Sequence, residues 1–258
     1  YDGKIVERNA AGEEVRPLDI SITKNVLGLF INSAVLLVIM MSCVRWYKKH
    51  PLEDGAPKGG VGMIEATVLS IYNDVIKGCI GENYRRYAPY LLTAFFFVLV
   101  NNLMGLIPIF PGGANVTGNI AITLVLALCT FVLTNVYGTK AYWKEIFWPD
   151  VPTWLKAPIP MMPLIEFFGI FTKPFALMIR LFANIMAGHA AVLSLIAIIF
   201  ITVKSGPVIN GSMTVVSVAF SIFMDALEIL VAFIQAYVFT MLSAVFIGLS
   251  QVKEHAEK

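Results

Sequence analysis

Charge along this chain is gathered into short segments, and long stretches between them carry none. Residues 1–24 are polar, with Asp2, Glu7, Glu13, Glu14 and Asp19 against Lys4, Arg8, Arg16 and Lys24. Residues 25–44 hold no charge and predict a first membrane-spanning helix. It closes in Arg45-Trp46-Tyr47-Lys48-Lys49, an aromatic anchor with basic residues, which assigns that end to the cytoplasm. Pro51, Pro57 and nearby glycines mark a loop. Over 61–80, Ile64, Val68, Ile71, Val75 and Cys79 recur at helical spacing among Glu65, Asp74 and Lys77. That pattern predicts an amphipathic helix at the inner interface.

Between Arg86 and Lys140 there is no Asp, Glu, Lys or Arg. The stretch accommodates a second span, about 88–107, an uncharged Pro111-Gly112-Gly113 turn outside, and a third span, about 118–139. Lys140, Lys144 and Lys156 with Trp143, Trp148 and Trp154 mark the return to the inner interface. Pro149, Pro152, Pro158, Pro160 and Pro163 predict a stiff non-helical linker. Two apolar segments follow, Leu164 to Val203 and Met213 to Val252, joined by a Gly/Pro turn from Lys204 to Ser212. Each is far longer than the roughly 20 residues that cross a bilayer upright, so each must tilt, bend near Pro174 in the first case, or begin in the interface.

The pattern predicts an all-α membrane protein with five crossings and one interfacial helix, the last two crossings forming a long tilted hairpin over 164–252. Residues 1–24 form an external polar segment and 25–258 a single membrane domain, with the amino terminus outside and the carboxyl terminus inside. Composition agrees: 58% of residues are hydrophobic and 14% charged, against about 25% charged in soluble domains. The net charge of +2 gives no reason to expect a nucleic-acid partner. The chain begins at Tyr1 rather than Met, as if an amino-terminal piece were removed or omitted. Cys43, Cys79 and Cys129 are widely spaced among apolar residues and read as buried small hydrophobes without disulfides. No Walker loop, HExxH or GxSxG occurs, so no catalytic residue, metal site or cofactor is expected.

The informative residues are the ionisable ones inside the last two segments: Glu166, Lys173, Arg180, His189, Asp225 and Glu228. A charge at the bilayer centre costs about 3 kcal/mol on insertion scales, and such groups usually mark ion paths. Arg180 stays protonated and needs an anionic or polar partner. Glu228, Asp225 or a carboxylate on another subunit could serve, and a structural ion pair or a snorkelling side chain is the plainer reading. Glu166, Lys173 and Arg180 recur every seven residues and share a stripe, with Asn184 one turn beyond. Counting back from the turn sets Arg180 near Gln235 and His189 near Glu228 in an antiparallel hairpin. The result is a fixed cation beside an amide, a titratable pair towards the outside, and Glu166 about 21 Å towards the inside. This layout suits proton transfer in two disconnected halves. Ala176, Ala183, Ala187, Gly188, Ala190 and Ala191 permit close helix approach, within this chain or against another subunit.

Arg180-Leu181-Phe182-Ala183-Asn184-Ile185-Met186-Ala187-Gly188-His189 resembles the Arg-Leu-Phe-x-Asn-x-x-Ala-Gly signature of subunit a of F-type ATP synthases. Glu228 to Gln235 followed by Ala236-Tyr237-Val238-Phe239, and Asn102-Leu103-Met104-Gly105-Leu106-Ile107-Pro108, resemble further stretches of that family. The likeness spans most of residues 25–250. It implies a proton-conducting, non-catalytic stator subunit with two offset half-channels, partnered by the c-ring, the peripheral stalk (subunit b) and membrane lipid. Arg180, with Gln235 beside it, would face the ring carboxylate and block a direct leak. His189 and Glu228, joined by Asn119, would line the outer half-channel, and Asp225 adds a neighbouring acid there. Glu166 would line the inner exit, with Lys173 on its stripe, and Asn184 would position or hydrate the route. Here His and Glu at 189 and 228 are exchanged relative to many bacterial members. The polar amino-terminal segment favours a bacterial inner membrane over a mitochondrial one. The alternative function is a self-contained proton or cation transporter.

Overall fold

The computed structural model describes residues 7–8, 14–15, 23–50, 57–107, 116–147 and 161–251. The rest of the polar amino-terminal segment, the Pro111-Gly112-Gly113 turn, the proline run up to Pro160 with Trp148, Trp154 and Lys156, and the charged tail lie outside the described residues. The architecture is all-α, apart from a two-residue antiparallel ladder, Glu7–Arg8 (β1) with Glu14–Val15 (β2).

Helix α1 (Lys24–Lys49) starts at Thr23, whose side chain accepts from the Val26 N–H, and ends in Lys48 and Lys49, which complement the carbonyl-rich end of the helix. Helix α2 (Gly60–Ser70) runs through a π-helical stretch, Ile71–Lys77, into the short α3 (Gly78–Ile80). At Gly81, whose φ of 74° suits glycine, the run passes through a 3₁₀ turn (Gly81–Asn83) into α4 (Tyr84–Leu106). Asn119 caps α5 (Ile120–Val136), and a 98° bend leads into α6 (Lys140–Phe147). Helix α7 (Met161–Thr202) and helix α8 (Pro207–Ser250) are joined by a 3₁₀ turn, Val203–Ser205, and by Gly206 at φ 101°.

Among the described residues, four helical runs are long and apolar enough to cross a membrane: α1, Gly60–Leu106, Pro163–Thr202 and α8, with a fifth if α5 and α6 count as one broken span. The chain is a multi-pass membrane protein. Pro174 lies inside α7 without ending it. At 42 residues, α7 is about 63 Å long, twice the roughly 30 Å hydrocarbon core.

Helix α8 is the spine. It packs most extensively on α7 and on α4; α5 leans on α7 and α8, and α1 touches α4 along one edge. Ile71, Val75, Ile76 and Ile80 dock the second helical run into this bundle against Leu91, Phe95, Phe239 and Ile247. Asp74 and Lys77 stay exposed, so the run is amphipathic as its spacing predicts. Hydroxyl groups bind the bundle where apolar packing is not directional: Tyr90 and Thr130 oxygens are 2.8 Å apart, and Thr130 and Ser243 oxygens 3.2 Å. All three cysteines are free, and none is buried as expected: Cys43 and Cys79 are half-buried, and Cys129 is exposed on the outward apolar face of α5.

Candidate functional site

The site is assembled from one face of α7, one of α8 and the end of α4. Leu177 and Leu181 are buried in the core, which turns the neighbouring face of α7, with Asn184 and Gly188, along the seam with α8. Asn184 Nδ2 donates to Gln235 Oε1 at 2.7 Å, an interhelical amide pair. One turn further along α7, Gly188 meets Glu228: a Cβ there would lie 2.6 Å from Oε1 of that carboxyl. Only glycine leaves room for the Glu228 side chain in this position.

These residues enclose a cavity of about 30 Å³, lined by Asn102, Asn184, Gly188, His189, Glu228 and Gln235 among others. A water needs some 10–15 Å³ by this measure, so there is room for about two. Glu228 Oε1 and Asn102 Oδ1 are buried without a hydrogen-bond partner, while Asn102 Nδ2 donates to the Ala232 carbonyl at 3.3 Å. Buried polar oxygens are nearly always satisfied, and two unsatisfied acceptors at one small cavity call for donors: water, or a proton on Glu228 itself. His189 and Asp225 both lie within electrostatic reach of Glu228.

Arg180 is one turn before Asn184 and is exposed. The partner of Gln235 is Asn184 rather than Arg180, whose side of α7 opens outwards together with exposed Ala176, Ala183 and Ala187. His189 shares the cavity with Glu228, and Gly188 lies directly against the Glu228 carboxyl. Asp225 is exposed, one turn from Glu228. Asn119 is not at the cavity; its Oδ1 accepts from the Ala121 N–H at 3.0 Å and caps α5.

Towards the start of α7 lies a second cavity, of about 10 Å³, between α5, α6, α7 and α8. Its polar lining is Thr130, Thr134, Asn135, Tyr142 and Lys173. Lys173 Nζ stands 6.0 Å from the ring centre of Phe246. Glu166 is half-buried, within electrostatic reach of the Tyr142 hydroxyl. The two cavities therefore lie on opposite sides of Arg180 along one helix. Sequence reasoning missed Asn102 and Tyr142 as site residues. The adjacent Asn101-Asn102 in an otherwise apolar run was the available signal for the first; nothing local marks the second, since the bend into α6 brings it to the site. No cluster of His, Cys, Asp and Glu that could hold a metal occurs among the described residues.

The ATP synthase A chain family matches residues 27–248. The subunit a of ATP synthase from Chlorobium phaeobacteroides (strain DSM 266) is 47% identical, covering 99% of this chain and 75% of the relative. That of Chloroherpeton thalassium is 45% identical, covering 93% and 70%, and that of Myxococcus xanthus 39%, covering 92% and 75%. With the signature around Arg180 at the seam of two unusually long helices and the match running through every described membrane helix, the chain belongs to the ATP synthase subunit a family.

Proposed function

We propose that this chain is the proton-conducting stator subunit of a rotary F-type ATP synthase, set in a bacterial inner membrane with its amino terminus outside. It makes and breaks no bonds itself. The observation that carries the reading is the exposure of Arg180 on a small-residue face of α7, with a polar cavity on either side of it along the helix. A permanent cation facing the bilayer is costly unless an anion covers it. A ring of hairpin subunits with mid-membrane carboxylates supplies that anion repeatedly, and Ala176, Ala183 and Ala187 let such a ring approach closely.

Each ring carboxylate takes a proton from the outer route, through His189, Glu228, Asn102 and Gln235. After nearly a full turn of the ring it meets Arg180, which favours its ionised form and expels the proton towards the inner route by Glu166 and Lys173. Arg180 also repels protons and so separates the two routes. The length of α7 and α8 supports a steep tilt, which sets the routes at different depths. The peripheral stalk holds the chain still against the ring.

The test is ATP-driven acidification of inverted membrane vesicles, wild type against Arg180→Ala at equal complex assembly. Loss of pumping with assembly intact is expected. Undiminished pumping overturns the coupling role. Proton transport by the chain reconstituted without a ring would replace this reading with a self-contained transporter.

A further inference from the structure

Helix α1 lies at the edge of the bundle, and its buried residues are Gly28 and Asn32. Asn32 Nδ2 donates to Asn101 Oδ1 on α4 at 2.9 Å, and each residue is 1% exposed. Asn101 Nδ2 in turn donates to the Phe97 carbonyl at 2.8 Å, which locks the orientation of its amide. The next residue, Asn102, reaches the other way, to the Ala232 carbonyl of α8 and into the cavity beside Glu228. Consecutive residues of a helix are about 100° apart, so the two amides clamp α4 from two sides. Leu36 and Met40 of α1 also pack against the core, and apolar contacts of that kind allow sliding or rotation. A hydrogen bond between two buried amides does not: Asn32 Oδ1 already lacks a partner, and losing the bond would leave Asn32 Nδ2 and Asn101 Oδ1 unpaired in hydrocarbon as well.

We infer that Asn32 and Asn101 are positioning residues for the outer proton route: their hydrogen bond fixes the rotation and depth of α4, and so the placement of Asn102 opposite Glu228. The inference rests on the reading of that cavity as part of the route. It gives α1 a part in conduction, although α1 contributes no residue to the cavity lining.

The experiment compares Asn32→Leu, Asn101→Leu and the double variant in inverted vesicles of the whole complex. It measures the amount of assembled complex and ATP-driven acidification per assembled complex. Each single variant strands one amide and lowers assembly; the double strands neither and recovers it. If the pair positions the route, pumping per complex in the double stays down by roughly three- to tenfold, the range of an interhelical hydrogen bond in a membrane. Recovery of both quantities would reduce the pair to structural glue and overturn the inference. The smaller Asn32→Val/Asn101→Val double repeats the comparison without overfilling the interface, and failure of both doubles to assemble would likewise overturn it. Glu228→Gln run in parallel separates the two levels. Normal pumping in Glu228→Gln sinks the outer-route reading and the inference with it, whereas blocked pumping there beside a normal double variant sinks the inference alone.

Discussion

The two cavities beside Arg180 share helices α7 and α8 but differ in chemistry. The larger, towards the hairpin tip, is lined by His189, Glu228 and three side-chain amides, and two of its oxygens have no partner. The smaller, towards the chain ends, is lined by hydroxyls, one amide and Lys173, and its polar groups are mostly engaged. Thr134 donates to the Thr130 carbonyl at 2.8 Å, Asn135 to the Phe131 carbonyl at 2.8 Å, and Tyr142 to Asn135 Oδ1 at 3.4 Å. A cavity with unsatisfied acceptors and titratable groups can take up and release a proton. A cavity whose hydroxyls already serve neighbouring carbonyls chiefly holds its helices together. In the proposed reading, the difference separates a wall whose polar groups exchange protons from hydroxyls that support the inner route beside Glu166 and Lys173.

Substitutions at the larger cavity should therefore affect pumping far more than those at the smaller. The greatest effect is expected from Glu228→Gln, which keeps shape and removes proton exchange. ATP-driven acidification should fall roughly 100-fold, the scale of a lost proton-transfer group, with assembly intact. A fall of less than twofold would erase the distinction between the cavities. Gly188→Ala comes next. The new Cβ would lie 2.6 Å from Glu228 Oε1, the flexible end of a side chain, so the carboxyl moves and the backbone need not. Alanine also gains about 1 kcal/mol of helix propensity over glycine. Thermal stability of the complex should hold or rise while pumping drops roughly tenfold, the size of a 1.4 kcal/mol misplacement. Gly248→Ala is the control: its Cβ would run into the Cys79 backbone carbonyl, which cannot step aside, so assembly itself should fail. Equal loss of assembly in the two glycine variants would refute the argument from Glu228's flexibility.

Much of this site was legible in the sequence, and the misses have physical causes. Counting back from the turn gave the depth of Gln235 to within one helical turn. It did not give facing: Arg180 and Asn184 differ by about 40° in helical phase, enough to turn one outwards and the other onto α8. The amphipathic stretch shows the same limit. Its spacing predicted Ile71, Val75 and Cys79 as a buried face, whereas Ile71, Val75, Ile76 and Ile80 are buried and Cys79 only partly. The π-helical turns over 71–77 widen the repeat, so the face slips by one residue from Cys79 to Ile80. Tyr142 was illegible because its role comes from the 98° bend that folds α6 back onto α7, packing Tyr142 and Ile146 against Ile170. Thr130 and Ser243 read as unremarkable in apolar helices; their hydrogen bonds to each other and to Tyr90 exist only once three helices meet.

The smallest expected effect probes the other side of the comparison. Thr130 ties α4, α5 and α8 together through Tyr90 and Ser243, and it lines the smaller cavity. Thr130→Val keeps the branched shape and removes the shared hydroxyl, leaving Tyr90 and Ser243 each short of a partner. Double-mutant measurements put membrane hydrogen bonds near 0.6 kcal/mol each, so a loss of about 1 kcal/mol in bundle stability is expected, read as a lower temperature of thermal inactivation. Pumping per assembled complex should change by less than about twofold, because a hydroxyl that already serves its neighbours adds little to proton transfer. A large loss of pumping without a loss of stability would mean that this hydroxyl chain conducts. The smaller cavity would then belong to the proton path as fully as the larger one, and the contrast drawn from their hydrogen bonding would fail.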